Sequence, residues 1–177
     1  MTPAAQPAPE PLMPDLADRF RVAPGSSVRL ADLDTREDAG LSKDQVRDLL
    51  DDVQKKMFLL QRRLHAEGRR ALLVVLQGMD AAGKDGTIRV AFSSLNAQGT
   101  RVVSFKAPTS NELDHDYLWR VHNACPRRGE VGIFNRSHYE DVLVVRVEGL
   151  APEEAWRRRY DHINAFERLL HDEGTVM

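Results

Sequence analysis

A glycine-bounded turn that carries a lysine, GMDAAGKDG at residues 78–86, directly follows the apolar run ALLVVLQ at residues 71–77. Up to the lysine, its spacing matches the phosphate-binding P-loop pattern GxxxxGK[ST]. Gly78 and Gly83 let the backbone curl with its N–H groups pointing inward, and Lys84 adds a positive charge. The helix that we expect next directs its N-terminal N–H groups to the same point. These residues therefore predict a loop that binds a phosphate chain.

One position departs from this pattern, because Asp85 stands where the pattern has the Ser or Thr that holds magnesium. Thr87 lies nearby, and the loop itself contains Asp80. We therefore expect a carboxylate to help hold a hard cation. The alternative is a chance match in an ordinary strand-to-helix turn. The phosphate- or nucleotide-binding candidates in this loop are Gly78, Met79, Ala81, Ala82, Gly83, Asp85, Gly86 and Thr87.

A second polar cluster follows another apolar segment, in GIFNRSHYEDVLVVRV at residues 132–147. Arg136 stands at the predicted carboxyl end of a parallel strand, where ligands of such sheets bind. We interpret it as a phosphate-facing cation. The alternative is a structural salt bridge from Arg136 to Glu140 or Asp141.

The elements that position these residues alternate between strands and helices. A capping box of Ser42 and Gln45 predicts a helix of about 25 residues that stops at Gly68. Its apolar stripe is expected to pack against the domain or against a second subunit. The further predictions are helices at 85–97, 112–124, 138–147 and 152–174, and strands at 71–77, 101–105, 130–135 and from 175, with a strand as the alternative at 138–147. This order predicts an α/β fold, a parallel sheet with helices on both faces in three layers.

The composition excludes several classes of protein. The 177 residues carry a net charge of −2, which argues against non-specific nucleic-acid binding. No apolar run approaches the length of a membrane span, and the single cysteine fits the reducing cytoplasm. Five prolines among residues 1–15 predict a disordered arm, followed by an irregular segment at 16–40. We expect one P-loop domain over residues 16–177.

Five motifs along the chain resemble the family 2 polyphosphate kinases. They are GMDAAGKDG, SFKAPT at 104–109, DHDYLWRVH at 114–122, GEVGIFNRSHYEDVLVVRV and RYDHINAFERLL at 159–170. The resemblance runs in order over roughly residues 25–177. The YED form with FNRS is similar to the subgroup that phosphorylates both nucleoside mono- and diphosphates.

This resemblance implies that the domain over residues 16–177 is a P-loop kinase, a phosphotransferase that uses inorganic polyphosphate as donor and AMP or ADP as acceptor. It implies magnesium as cofactor, with manganese as the alternative ion. Asp80 matches an aspartate that binds the metal or positions the attacking phosphate, Lys84 a phosphate-binding lysine, and Arg136 the arginine that stabilises the transferred group. Lys106 and Arg120 match further basic positions that contact nucleotide or polyphosphate. Asn135 and Glu140 depart from the family pattern, and we take Glu140 with Asp80 as the metal ligands.

Family members continue beyond Met177 with another strand and a basic helical lid, so we expect both to be missing from this chain. We also expect a homo-oligomer. Two other functions stay open: an ATP-dependent P-loop kinase of nucleotides or small metabolites, and a non-catalytic polyphosphate-binding module.

Overall fold

The computed structural model describes residues 14–177, which divide into two units at residues 53 and 54. The predicted arm lies outside the described residues as far as residue 13, and helix α1 covers Pro14–Arg19. Within the described range, no helix is both long and apolar enough to cross a bilayer. The prediction of a single domain over 16–177 stays a prediction.

The first unit is exposed and largely irregular, as predicted for residues 16–40. Besides α1 it contains a 3-10 turn at Leu30–Asp32. Helix α2 (Lys43–Glu67) begins at the predicted capping box. The Gln45 N–H donates to Ser42 Oγ at 3.2 Å, and the Ser42 N–H donates to Gln45 Oε1 at 2.9 Å. The predicted start and length of this helix are therefore confirmed.

The second unit contains a parallel sheet in the order β2-β3-β1-β4. Its strands are β1 (Ala71–Leu76), β2 (Thr100–Ser104), β3 (Val131–Asn135) and β4 (Thr175–Val176). In β3 the first four residues are all buried. Because successive side chains of a strand point to opposite faces, both faces of the sheet are covered at β3. The predicted α/β fold is confirmed, including the strand that starts at Thr175.

The core packs the sheet against two helices, α5 (Trp119–Ala124) and α7 (Glu153–Asp172). Phe134 of β3 is fully buried and meets the ring of Phe105 edge-on, with the centroids 4.9 Å apart. Burying a side chain of this size contributes roughly 1.5–3 kcal/mol. The buried core cluster comprises Leu73, Phe105, Val121, Ala124, Phe134, Phe166 and Leu170. The strand end that carries Arg136 is thus anchored in the core.

The helix after the P-loop is shorter than predicted, since α3 covers Lys84–Ala91 and not 85–97. Side chains bond the backbone where the helix stops. Gln54 Nε2 donates to the Val90 carbonyl at 2.7 Å and to Ser93 Oγ at 3.1 Å. Ser93 Oγ donates to the same Val90 carbonyl at 3.1 Å. These bonds satisfy the Val90 carbonyl, next to the last residue of the helix, in place of a further turn.

The single helix predicted at 112–124 is wrong, because the structure has α4 (Ser110–Leu113) followed by a turn and α5. Thr109 and Glu112 form a capping box that starts α4 before the predicted position. Asp116 Oδ1 then accepts the Leu118 N–H at 3.0 Å. Such local side-chain bonds compete with a continuous helix.

The segment 138–147 is helical, so its strand alternative is wrong. It comprises a 3-10 turn at His138–Asp141 and helix α6 (Val144–Val147). Pro152 caps α7, as predicted, and Gly174 follows that helix with a φ of 93°. A positive φ is the conformation that ends many helices and that glycine adopts without steric cost.

Candidate active site

The P-loop joins β1 to α3 with the tight backbone that its glycines predict. Gly83 has a φ of 87°, and Ala81 has a φ of 63°, which is uncommon for a residue with a Cβ. A Cβ at Gly78 would lie 3.3 Å from Ala82 Cβ, which is a close contact. The loop therefore needs small residues at its bend, and sequence reasoning missed the strained Ala81.

Lys84 folds back over this loop from the first turn of α3. Its Nζ donates to the carbonyls of Gly78 and Met79, at 2.8 Å in both cases. Thr87 Oγ1 donates to the Gly83 carbonyl at 3.1 Å, within its own helix turn. The ammonium therefore lies at the loop, where a bound phosphate chain would meet it.

The arginine turn, residues 135–140, begins at the last residue of β3. Arg136 has a φ of 63°, and its N–H donates to the Leu76 carbonyl of β1 at 3.0 Å. Its Nη2 donates to Asp80 Oδ1 of the P-loop, and its Nη1 lies 3.7 Å from Glu140 Oε1. Of the two salt bridges given above as the alternative role of Arg136, the one to Glu140 is present and the one to Asp141 is not formed. Arg136 thus stands between the two predicted metal ligands.

A second contact joins the arginine turn to the P-loop. Asn135 Nδ2 donates to Asp85 Oδ1 at 2.6 Å. This pair involves two of the three positions at which the sequence departs from the usual motifs, the third being Glu140. The departures are therefore matched to each other in space, because an amide donor faces the carboxylate.

Buried side chains anchor the arginine turn to helix α7. Ser137 and His138 are fully buried. His138 Nε2 lies 3.1 Å from Glu167 Oε1, which also accepts the Tyr139 hydroxyl at 2.5 Å. Burial lowers the pKa of His138, although Glu167 opposes the shift, and it raises the pKa of Tyr139. Sequence reasoning did not find this support from α7.

A cavity of about 620 Å³ opens beside the arginine turn. Arg136 and Glu140 line it, together with the predicted basic residues Lys106 and Arg120. Arg120 Nη1 donates to the Lys106 carbonyl at 2.8 Å, and its guanidinium lies over the Phe105 ring. The apolar part of the lining includes Leu113, Val144, Val145 and Leu150. The structure thus brings both basic candidates to one cavity with Arg136.

Arg159 and Asp141 form a further charged pair in this cavity, which sequence reasoning missed. Arg159 Nη1 lies 3.3 Å from Asp141 Oδ1 and donates to the Asp141 carbonyl at 3.0 Å. Burial raises the pKa of Asp141, and Arg159 and Arg120 oppose that shift. Tyr117 lies under the Arg159 guanidinium, and burial raises its pKa to about 12. These groups add one cation, one carboxyl group and one hydroxyl to the cavity.

Four other arginines lie in ion pairs at the surface. Arg157 and Arg158 pair with Glu153 and Glu154 one helical turn away. Arg127 pairs with Glu130, and Arg128 Nη2 lies 3.5 Å from Glu173 Oε2. Exposed pairs of this kind hold their charges on the surface and contribute little to stability. Of the run Arg157 to Arg159, Arg159 is the member that reaches the cavity.

The two carboxylates beside Arg136 fit a magnesium ion that is held mainly by phosphate groups and water. Among the described residues there is no cluster of three or more His, Cys, Asp or Glu that could hold a metal by itself. Magnesium is commonly bound by one or two carboxylates together with phosphates and water. Asp80 and Glu140 supply such carboxylates on either side of one guanidinium. Their role as metal ligands stays a prediction.

Known proteins resemble this chain over most of its length. One relative, AMP/ADP-polyphosphate phosphotransferase of Meiothermus ruber, is 50% identical over 161 residues, which are 90% of this chain and 60% of the relative. ADP-polyphosphate phosphotransferase of Rhodopseudomonas palustris is 42% identical over 170 residues, 89% of this chain and 59% of the relative. The chain thus spans about three fifths of the length of these two relatives.

A solved structure and a family profile agree with these relatives. The crystal structure of polyphosphate kinase 2 from Arthrobacter aurescens TC1 superposes with a TM-score of 0.83 at 41% identity, over 90% of this chain and 58% of that one. The profile of the family "Polyphosphate kinase 2 (PPK2)" matches residues 40–177. Since this match covers well over half of the sequence, the chain belongs to the polyphosphate kinase 2 family.

Proposed function

We propose that this chain carries the phosphoryl-transfer core of a magnesium-dependent kinase that moves the terminal phosphoryl group of polyphosphate to AMP or ADP, and back. One observation carries the proposal: Arg136 contacts Asp80 of the P-loop and also lines the cavity beside it. A single cation therefore touches both the predicted donor site and the predicted acceptor site. The names of the related phosphotransferases support this choice of donor and acceptor.

The donor end of polyphosphate would bind at the P-loop. Lys84 already places its ammonium at the loop carbonyls, from which it can turn to a phosphate oxygen. Phosphoryl transfer passes through a loose transition state with charge spread over the equatorial oxygens, so cations and alignment are the main requirements. Lys84 and Arg136 supply the cations, and bound magnesium would neutralise further phosphate charge.

The acceptor nucleotide would bind in the 620 Å³ cavity. Its phosphate end would face Lys106, Arg120 and Arg136, and the base would lie against the apolar residues of α6. A nucleotide phosphate is already an anion at neutral pH and needs no strong general base. Asp80 would therefore position the attacking phosphate or hold the metal, and need not remove a proton. Because the acceptors are intracellular nucleotides, we place the protein in the cytoplasm.

The test is to incubate the protein with polyphosphate, magnesium and either AMP or ADP, and to separate the products by chromatography. We expect ADP from AMP and ATP from ADP, with most of the product lost in the Lys84→Ala variant. Turnover with ATP and a small hydroxyl substrate instead would show an ATP-dependent kinase. Binding of polyphosphate without turnover of any nucleotide would show a non-catalytic binding module.

A homo-oligomer is the second part of the proposal. Three consecutive apolar residues near the middle of α2, Phe58, Leu59 and Leu60, are between 37% and 56% exposed. Exposed apolar residues in a row favour contact with another protein surface. We expect light scattering coupled to size exclusion to give a multiple of the 20.0 kDa chain mass. A monomer at all concentrations would refute the expectation.

A further inference from the structure

Gln77 joins the end of β1 to the arginine turn through both ends of its side-chain amide. Its Nε2 donates to Glu140 Oε1 at 2.8 Å. Its Oε1 accepts the Ser137 hydroxyl at 3.2 Å. The residue directly precedes the P-loop, so one side chain connects both halves of the candidate site.

The chemistry of these partners fixes the orientation of the amide. An ionised carboxylate has only acceptors, so the nitrogen of Gln77 must face Glu140. The amide oxygen then faces Ser137, whose hydroxyl must donate to it. That hydroxyl also accepts the Tyr139 N–H at 3.1 Å and is fully buried, so both of its functions are used. A flipped amide would place its oxygen against the Glu140 carboxylate.

Glu140 connects the side-chain amide of Gln77 to the Arg136 guanidinium. Its Oε1 accepts from Gln77 and also lies 3.7 Å from Arg136 Nη1. The same guanidinium donates through Nη2 to Asp80 on the opposite side. Arg136 has four rotatable side-chain bonds, and these two carboxylates determine where its charge lies. Glu140 could rotate away if Gln77 did not hold it.

We propose that Gln77 is a positioning residue which, through Glu140, holds the Arg136 guanidinium between the P-loop and the acceptor cavity. The inference rests on the proposed phosphotransferase function. Gln77 acts through Glu140 and is not a catalytic residue in this account. Misplacing a charge-stabilising group by about 1 Å can cost on the order of 100-fold in rate. A residue such as Gln77, which acts on Arg136 through Glu140, can therefore change the rate of the reaction.

The main test variant is Gln77→Met, which keeps the approximate side-chain size and removes both hydrogen bonds. Gln61→Met is the control, since Gln61 is likewise an amide bonded through both ends of its side chain, more deeply buried than Gln77 and with three hydrogen bonds, to Asn96 and Thr100. Those partners lie at the start of β2, outside the candidate site. A second variant, Gln77→Glu, keeps an oxygen for Ser137 and replaces the donation to Glu140 by repulsion between two carboxylates.

We expect Gln77→Met and Gln77→Glu to lower kcat by about tenfold or more, with the KM values for polyphosphate and AMP changed less than about threefold. Gln61→Met should leave kcat within about twofold, although its thermal unfolding midpoint falls at least as far, because it loses more hydrogen bonds. A wild-type kcat in both Gln77 variants, or an equal loss of rate in Gln61→Met, would overturn the proposal.

A spectroscopic measurement separates this inference from the proposed function. The Nε–H signal of Arg136 can be assigned in an NMR spectrum from its loss in Arg136→Lys. We expect that signal to shift or broaden in Gln77→Met and to stay unchanged in Gln61→Met. An unchanged signal in Gln77→Met would refute the positioning role even if the wild-type protein transferred no phosphate. Absence of turnover in the wild type would instead contradict the proposed function.

Discussion

The backbone of Arg136 offers a test that separates its conformation from its charge. Arg136 has a φ of 63° in a turn held by the Leu76 carbonyl and by the buried Ser137. A residue with a Cβ in this left-handed region costs roughly 1–2 kcal/mol, and glycine adopts it freely. Strain of this kind persists where the surroundings determine the conformation, and it is frequent at functional sites.

The two variants Arg136→Ala and Arg136→Gly both remove the guanidinium, and only the second removes the strain. The ion pairs of Arg136 are lost equally, and with a side chain 35% exposed they contribute about 0–1 kcal/mol. The unfolded chain is more flexible with glycine than with alanine, and this offsets about 0.5–1 kcal/mol of the stability that glycine gains by relieving the strain. We therefore expect Arg136→Gly to be more stable than Arg136→Ala by about 0.5–1 kcal/mol. For a chain of this length that is a difference of roughly 1–4 °C in the unfolding midpoint.

The rates should not follow the stabilities. Both variants should lose about 100-fold or more in the transfer of phosphate from polyphosphate to ADP, because both lack the charge at the transferred group. The measurements are thermal unfolding by circular dichroism and initial rates of ATP formation. An Arg136→Ala variant that is the more stable of the two by about 0.5–1 kcal/mol would show that the turn is not strained. A glycine variant that keeps the wild-type rate would remove Arg136 from the mechanism.

Three further predictions concern the loop, the sheet and pH. Lys84→Ala should lose most activity and keep the unfolding midpoint within about 2–4 °C, because the ammonium contacts only loop carbonyls; a large loss of stability would contradict this. Gly132→Ala should cost about 1–3 kcal/mol in urea unfolding, since the new Cβ would lie 2.9 Å from Pro126 Cδ; unchanged stability would show that Pro126 moves aside. Burial lowers the pKa of His138, so the unfolded state binds a proton that the folded state resists, and the free energy of unfolding should fall as pH drops below the ordinary value of 6.5. His138→Gln should show a smaller fall over the same range, and an identical fall would exclude His138 as its source.

The strands and the long helix could be predicted because their signals are local. Apolar runs bounded by polar turns defined β1 and β3, and the capping box at Ser42 defined the start of α2. The end of α3 could not be predicted in this way. It depends on Gln54, which lies 36 residues before its partner Val90. Bonds between distant residues leave no periodic signal in the sequence.

The site was predictable to the extent that its residues follow strand ends. The P-loop and Arg136 were found because each comes directly after an apolar strand. Gln77 and Glu167 were missed because their role depends on partners 63, 60 and 29 residues away. Helical spacing did carry a signal for Arg159. It lies four residues before the buried Ile163 and so shares the inward face of α7, which Arg157 and Arg158 do not.

Strand register by itself explains why the cations converge. Leu76 of β1 pairs with Asn135 of β3, which in turn pairs with Ser104 of β2. Because the strands are parallel, the residues that follow these three positions leave the sheet at one edge. The P-loop, Arg136 and Lys106 each lie within two residues of that edge. Because the strand order is β2-β3-β1-β4, the sheet places Arg136 between Lys106 and the phosphate-binding loop, and α3, α5 and α7 add Lys84, Arg120 and Arg159.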